Sequence, residues 1–174
     1  MSVTFRDART SDLAPLASFA RETYVAAFGH TFTPGDLTAH LNASLSQAHV
    51  AEWLAEDSVL LATDDGRLAG FAHAGPIPEG LFEGFARPGD AALWRLYVAP
   101  DLHGHGIGRR LLEAALAVPA LATAPNVYLD VWEENHGAQR LYGRYGFRTV
   151  GRRPLETESG AGAGYDLIMA RARA

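Results

Sequence analysis

Residues 96–112 read Leu-Tyr-Val-Ala-Pro-Asp-Leu-His-Gly-His-Gly-Ile-Gly-Arg-Arg-Leu-Leu. An apolar strand pattern stops at Pro100. Three glycines alternate at Gly104, Gly106 and Gly108, and a Leu-Leu pair then opens a helical pattern. Glycine permits positive φ and lets backbone come close to a ligand. These glycines lie where a helix begins, where several N–H groups lack partners and the dipole favours anions. That is the physical recipe for holding a phosphate or pyrophosphate on backbone. A tight turn with no ligand would use the same glycines. Either way, the segment requires a strand and a helix joined by a sharp turn.

Several other chemistries are excluded. A dinucleotide-binding unit wants Gly-x-Gly-x-x-Gly after the first strand of a βαβ unit. Here the spacing differs and the turn sits deep in the chain. All 15 basic side chains are arginine. With no lysine there is no triphosphate loop ending in Gly-Lys-Ser/Thr and no Schiff-base chemistry. With no cysteine there is no thiol nucleophile, disulfide or thiolate-held metal. His103 and His105 lack a third ligand at suitable spacing, so no metal is expected.

The 174 residues fit one domain, expected over 1–174, since domains run about 100–200 residues. The net charge of −5 argues against nucleic acid as a partner. The start of the chain has no apolar signal core, and no apolar run approaches the ~18 residues of a membrane span. The chain is therefore expected to be soluble and cytoplasmic, with no membrane partner.

Apolar periodicity lays out the rest. Val3 to Arg6 reads as a strand. Thr10 or Ser11 can cap a helix carrying Leu13, Leu16, Phe19, Ala20, Tyr24 and Ala27, which ends at Gly29. Weaker helical stretches follow from Pro34 and around Val50, Trp53 and Leu54. Ser58–Thr63 and Leu68–Ala74 form a hairpin about Asp65-Gly66. Residues 75–90, rich in Gly and Pro, read as a long functional or mobile loop. Strands at Ala92–Val98 and Val127–Trp132 flank the turn and its helix. A helix over 135–145 and strands at Phe147–Arg152 and Tyr165–Ala170 close the chain, with a flexible loop expected over 156–164. This is an α/β (α+β) order with a mixed sheet of seven strands and helices on both faces.

These residues carry a resemblance. Leu96-x-Val98-x-Pro100, then His103-x-x-Gly106-x-Gly108 and the Leu111-Leu112 helix resemble the acetyl-CoA motif of the GCN5-related N-acetyltransferases, the GNAT family. Asn135, Ala138, Leu141-Tyr142 and Tyr145-Gly146-Phe147 resemble its second motif, and Arg6, Ala8 and Asp12 fit its opening. Residues 90–152 carry most of the likeness. The family's Gln or Arg at the start of the turn is His103 here. More narrowly, Val131-Trp132-Glu133-Glu134-Asn135, Asp166–Ala170, Glu22-Thr23 and Phe28 resemble the PaiA-type polyamine acetyltransferases.

The resemblance implies a mostly antiparallel sheet whose two central parallel strands splay apart. It implies direct transfer of acetyl from acetyl-CoA, a cosubstrate, to a primary amine such as spermidine or spermine. A protein N-terminus, an antibiotic amine or a non-catalytic acyl-CoA sensor remain as alternatives. Backbone of Leu96 and Val98 would pair with the pantetheine arm, and the Val98 N–H would polarise the acetyl carbonyl. His103, Gly104, Gly106, Ile107, Gly108 and Arg109 would form the pyrophosphate cradle. Asn135 would hold the pantetheine or a neighbouring loop. Tyr142 would face the leaving thiolate, and Arg144 would meet the nucleotide phosphate. Many relatives carry a base as a Glu on the strand before the turn. Here Leu93-Trp94-Arg95-Leu96 offers none. Asp130, Glu133, Glu134 and Glu22 are the candidates, and Trp94, Trp132 and Phe82 are candidate acceptor-pocket walls. Such folds commonly pair as homodimers, which this sequence does not itself display.

Overall fold

The computed structural model describes residues 2–154 and 164–173. The loop expected over 156–164 lies almost wholly outside the described residues. Strand β1 (Val3–Asp7) leads into helix α1 (Leu13–Phe28), followed by α2 (Pro34–Ser44) and α3 (Gln47–Glu56). Strands β2 (Ser58–Asp64), β3 (Arg67–Pro76) and β4 (Ala91–Val98) precede α4 (Ile107–Ala117) and a single turn, α5 (Pro119–Ala122). Then come β5 (Asn126–Trp132), α6 (His136–Arg144), β6 (Arg148–Pro154) and β7 (Tyr165–Ala172).

The strands form one seven-stranded sheet in the order β1-β2-β3-β4-β5-β7-β6. Every neighbouring pair is antiparallel except β4 and β5. These two pair only at Ala91 with Val127 and Ala92 with Tyr128. Beyond that point they separate, as the resemblance implies. Crossover through α4 gives the parallel pairing, because a parallel partner cannot be reached by a short turn.

Each face of the sheet buries its own apolar cluster. On one face, Leu111, Leu112 and Ala115 of α4 and Tyr142 of α6 pack on Ala62, Ala72, Leu93 and Leu129. On the other, Leu16 and Ala20 of α1, Leu41 of α2 and Val50 and Trp53 of α3 pack on Leu61 and Phe71. Helical spacing in the sequence had to put these residues inward, since a helix buries only one stripe.

Two local expectations change. Asp12, not Thr10 or Ser11, braces the short turn Thr10–Asp12 that leads into α1. Its carboxylate accepts from the Arg9 N–H at 2.7 Å and takes both arms of Arg6 at 2.7 and 2.8 Å. A charged acceptor wins over a hydroxyl because the forked guanidinium doubles the contact. The long loop is also shorter and more fixed than expected. β3 runs on to Pro76. Asp90 accepts from the Arg87 N–H and from both the N–H and side-chain amide of Asn126. Tyr128 donates to the Phe85 carbonyl at 2.8 Å, and Phe82 is buried between Trp94 and Tyr128. The loop thus carries its own small core. The β2–β3 hairpin is as expected: Asp65 and Gly66 have φ of 47° and 83°, both left-handed as a primed turn requires.

Candidate active site

The splay exposes backbone. Gly70 stands opposite Val98 and Ala72 opposite Leu96 in the β3–β4 ladder. Ala99 donates its N–H to the Ala69 carbonyl at 2.9 Å. Peptide groups alternate in direction along a strand, so those of Tyr97 turn toward β3 and those of Leu96 and Val98 turn away. Away from β3 lies the gap left by β5. The two residues expected to meet the pantetheine arm therefore present their backbone to that gap.

The Gly-rich turn sits at the end of the gap. Gly104 and Gly106 have φ of 80° and 77°, and Gly106 is the residue before the first turn of α4. A Cβ built on either would meet nothing within 4 Å, so their outer side is open. Ile107 is buried and anchors the helix, while Gly108 lies under Val98. Open left-handed glycines at a helix start are a fitting cradle for a pyrophosphate. The imidazole of His103 does not point out as a ligand. Its Nε2 donates to the Val98 carbonyl at 3.0 Å, tying the turn to β4. His105 uses Nδ1 toward the carbonyls of Leu102 and His103. The two rings go to different carbonyls, and no group of metal-ligating side chains occurs among the described residues.

Arg109 and Arg144 are both exposed. Arg109 reaches along α4 to Glu113 at 3.0 Å, and Glu113 also accepts from the Tyr145 hydroxyl. Asn135 has a structural task. It caps α6, accepting from the Ala138 N–H at 3.1 Å, while also lining the cavity described next.

A cavity of about 340 Å³ opens where β4 and β5 part. Arg95, Leu96 and Tyr97 form one wall, and Asp130, Val131 and Trp132 the other. Tyr142 closes it from α6, while Tyr24, Phe28 and His40 reach it from α1 and α2. Tyr142 is buried against Phe147, and burial pushes its phenol well above the ordinary tyrosine range. It keeps its proton at any cellular pH and so can donate a hydrogen bond there.

Asp130 is the notable acid. Burial pushes its carboxyl up to about 6, against the lowering influence of Arg153. Arg153 holds one carboxylate oxygen, Oδ2. The other, Oδ1, is buried with no hydrogen-bond partner among the described residues, and so is Trp132 Nε1. Such orphans are rare and ask for a ligand or a task. Asp166, which faces Arg153 across the β6–β7 ladder, also lines the cavity and is raised by burial.

Of the other candidates, Trp94 and Trp132 line the cavity and Phe82 does not. Glu22 lies elsewhere, bonded to Ser18 at 2.7 Å beside a separate surface depression. Glu133 accepts from the Tyr165 N–H, and Glu134 is exposed. Sequence reasoning missed Arg95. Its Nη1 donates to His73 Nδ1 at 3.2 Å, its guanidinium stacks 4.2 Å from the Trp53 ring centre, and it lines the cavity. The only sequence signal was a charge within an otherwise apolar strand.

Residues 20–147 match the Acetyltransferase (GNAT) family. The chain belongs to the GNAT family. An uncharacterised N-acetyltransferase of Mycobacterium tuberculosis is 33% identical over 163 residues, covering 92% of this chain and 97% of that protein. A spermine/spermidine N(1)-acetyltransferase of Bacillus subtilis is 33% identical over 88 residues, or 50% of this chain and 57% of that protein. The crystal structure of PaiA N-acetyltransferase from Thermoplasma acidophilum in complex with coenzyme A superposes with a TM-score of 0.76. It is 21% identical and covers 99% of both chains, and so supports the fold. This GNAT protein is an acyltransferase, and its family uses acetyl-CoA as cosubstrate. No helix among the described residues is long and apolar enough to cross a membrane.

Proposed function

We propose that the protein moves acetyl from acetyl-CoA directly to a small primary amine taken into the cavity between α1, α2 and the parted strands. The observation that carries this reading is the coincidence of three features at one gap. They are the outward backbone of Leu96 and Val98, the open glycine cradle, and the buried Tyr142 with the half-buried Asp130 on the cavity wall. Acetyl-CoA supplies a thioester carbonyl and a thiolate leaving group. The residues that would hold it are Gly104, Gly106, Ile107 and Gly108 at the pyrophosphate, with Leu96, Val98 and Asn135 along the arm. Arg109 and Arg144 add charge that no cellular pH removes.

The amine must lose a proton before it attacks. An alkyl ammonium with pKa near 10.4 is about 0.04% neutral at pH 7, a penalty of roughly 4–5 kcal/mol. Asp130 is our choice of acceptor, through its unpartnered Oδ1, with Arg153 fixing Oδ2. The Val98 N–H donates to the acetyl oxygen as charge grows on it. A C–N bond forms and the C–S bond breaks. One amine proton leaves through Asp130 to solvent and the second ends on sulfur. Tyr142 donates a hydrogen bond to that sulfur. Full proton transfer from a phenol to a thiolate is uphill by roughly 2 kcal/mol on ordinary values, and burial of Tyr142 steepens it. Hydrogen bonding is therefore its role.

A polyamine acceptor draws support from the 88-residue match to the Bacillus enzyme and from Asp130 and Asp166. Arg95 opposes it, because it brings a fixed positive charge into the same cavity. Thiol release from acetyl-CoA in the presence of amines tests the proposal. Amine-dependent release is expected. Tight CoA binding without release on any amine would replace the enzyme with a sensor.

A further inference from the structure

The cavity holds a cation that no carboxylate meets directly. Arg95 sits beside Leu96 on β4, at the side where α1, α2 and α3 cover the sheet. Its one hydrogen bond goes to His73 Nδ1, and no ion pair engages it among the described residues. A guanidinium has five N–H groups, so most of the fork is left for something else. Asp57 acts on it only through space, its Oδ2 taking the His73 Nε2–H at 2.7 Å. One ring nitrogen donating and the other accepting make His73 a neutral spacer. Burial favours the same neutral form.

The surroundings of Arg95 are hydrogen-bond donors. Tyr24 from α1 and Tyr97 from β4 line the cavity with it, and His40 stacks on Tyr24 at 4.6 Å. Burial pushes the Tyr97 phenol up to about 12 and Tyr24 higher still, so both phenols stay protonated. Trp53 and His73 together fix the guanidinium plane, which makes the fork rigid before any ligand arrives. Asp130 and Asp166 occupy the opposite wall. The α1–α2 side of the cavity thus carries donors and the unpaired cation, while the far side carries two carboxyls and Arg153, which is paired with Asp130.

We propose that the acceptor is a small zwitterion, a primary amine that also bears a carboxylate. Arg95, Tyr24 and Tyr97 hold the carboxylate, and the ammonium turns toward Asp130 and Asp166. A planar fork suits a carboxylate because two parallel N–H groups meet two oxygens. An acceptor without that anion leaves the buried cation unpaired, which makes binding discriminate against it. This deepens the acetyltransferase reading and rests on it.

Thiol release measured on the protein amino acids, on the carboxamide of each, and on spermidine tests the idea. Amino acids with a free carboxylate are expected to be turned over, and their carboxamides to lose about 100-fold or more in kcat/KM, mainly through KM. Arg95→Gln should erase that difference while leaving CoA affinity unchanged. Arg95→Lys, which keeps the cation and loses the fork, should retain part of it. Since Arg95 also packs on Trp53, the acid-against-amide comparison in the wild-type protein decides the matter even if Arg95→Gln fails to fold. Equal or better turnover of carboxamides or spermidine would overturn the inference alone, as would undiminished discrimination in a folded Arg95→Gln protein. No release on any acceptor would overturn the acetyltransferase reading, and the inference with it.

Discussion

Among single residues, Tyr142 and Asp130 test the proposed mechanism separately. Tyr142→Phe removes the hydroxyl and keeps the ring packed against Phe147. It should lower kcat by about 100-fold with little change in the Kd for CoA. An unchanged kcat would remove Tyr142 from the mechanism. Asp130 must be ionised to accept a proton. With its carboxyl raised to about 6, kcat/KM should climb as pH rises through 6 and then level off. Asp130→Asn should lower activity and abolish that acidic limb. Survival of the limb would hand the proton to another group. Tyr142 could be found in the sequence because it stands at a fixed distance from Asn135 and Gly146-Phe147. Asp130 could be named only as one of several acids, because its partner Arg153 lies 23 residues on, in β6, and reaches it across β7. Arg95 was hidden for the same reason. Its meaning depends on Trp53 and His73, which other elements bring to it.

Among the elements, the turn between β4 and α4 is the proposed seat of the pyrophosphate. Gly106→Ala meets no steric obstacle, since nothing lies within 4 Å of the added carbon. The cost is the left-handed backbone, roughly 1–2 kcal/mol, and a methyl in the cradle. CoA should bind at least about 10-fold more weakly while the protein stays folded, as titration calorimetry would report. Wild-type affinity in this variant would mean that the turn is only a turn. The start of α1 gives a stability test. Asp12 is held down to about 2 by Arg6, from an ordinary value of 3.8. A depressed folded value stabilises above the unfolded value, and the benefit fades as pH falls from about 4 toward 2. Asp12→Ala should cost about 1–2 kcal/mol in denaturant unfolding at pH 7, and less at pH 3. This box was half legible. Arg6 and Asp12 were noticed as a pattern, but hydroxyls were expected to cap because nothing in sequence shows that Arg6 folds back across six residues.

At the scale of the molecule, the sheet divides labour between its faces. The α4–α6 face anchors the Gly-rich turn and Tyr142, and the α1–α2 side supplies walls of the cavity proposed to take the acceptor. Element order and both buried clusters were readable from periodicity, because each helix and strand buries one face. The parting of β4 from β5 was not readable from periodicity, since periodicity reports which face is buried and not how far two strands stay paired. Only the family likeness implied it. Composition reads residues 75–90 as a functional or mobile loop; in the structure 75–76 belong to β3, and Asp90, Phe82 and Tyr128 pin the remainder from a distance. In the proposed reaction acetyl passes directly from CoA to amine within one assembled site. Initial rates at varied acetyl-CoA and varied amine test it most directly. The account predicts intersecting reciprocal plots, because both substrates must be present before the C–S bond breaks. Parallel plots would reveal an acetylated enzyme intermediate and contradict it.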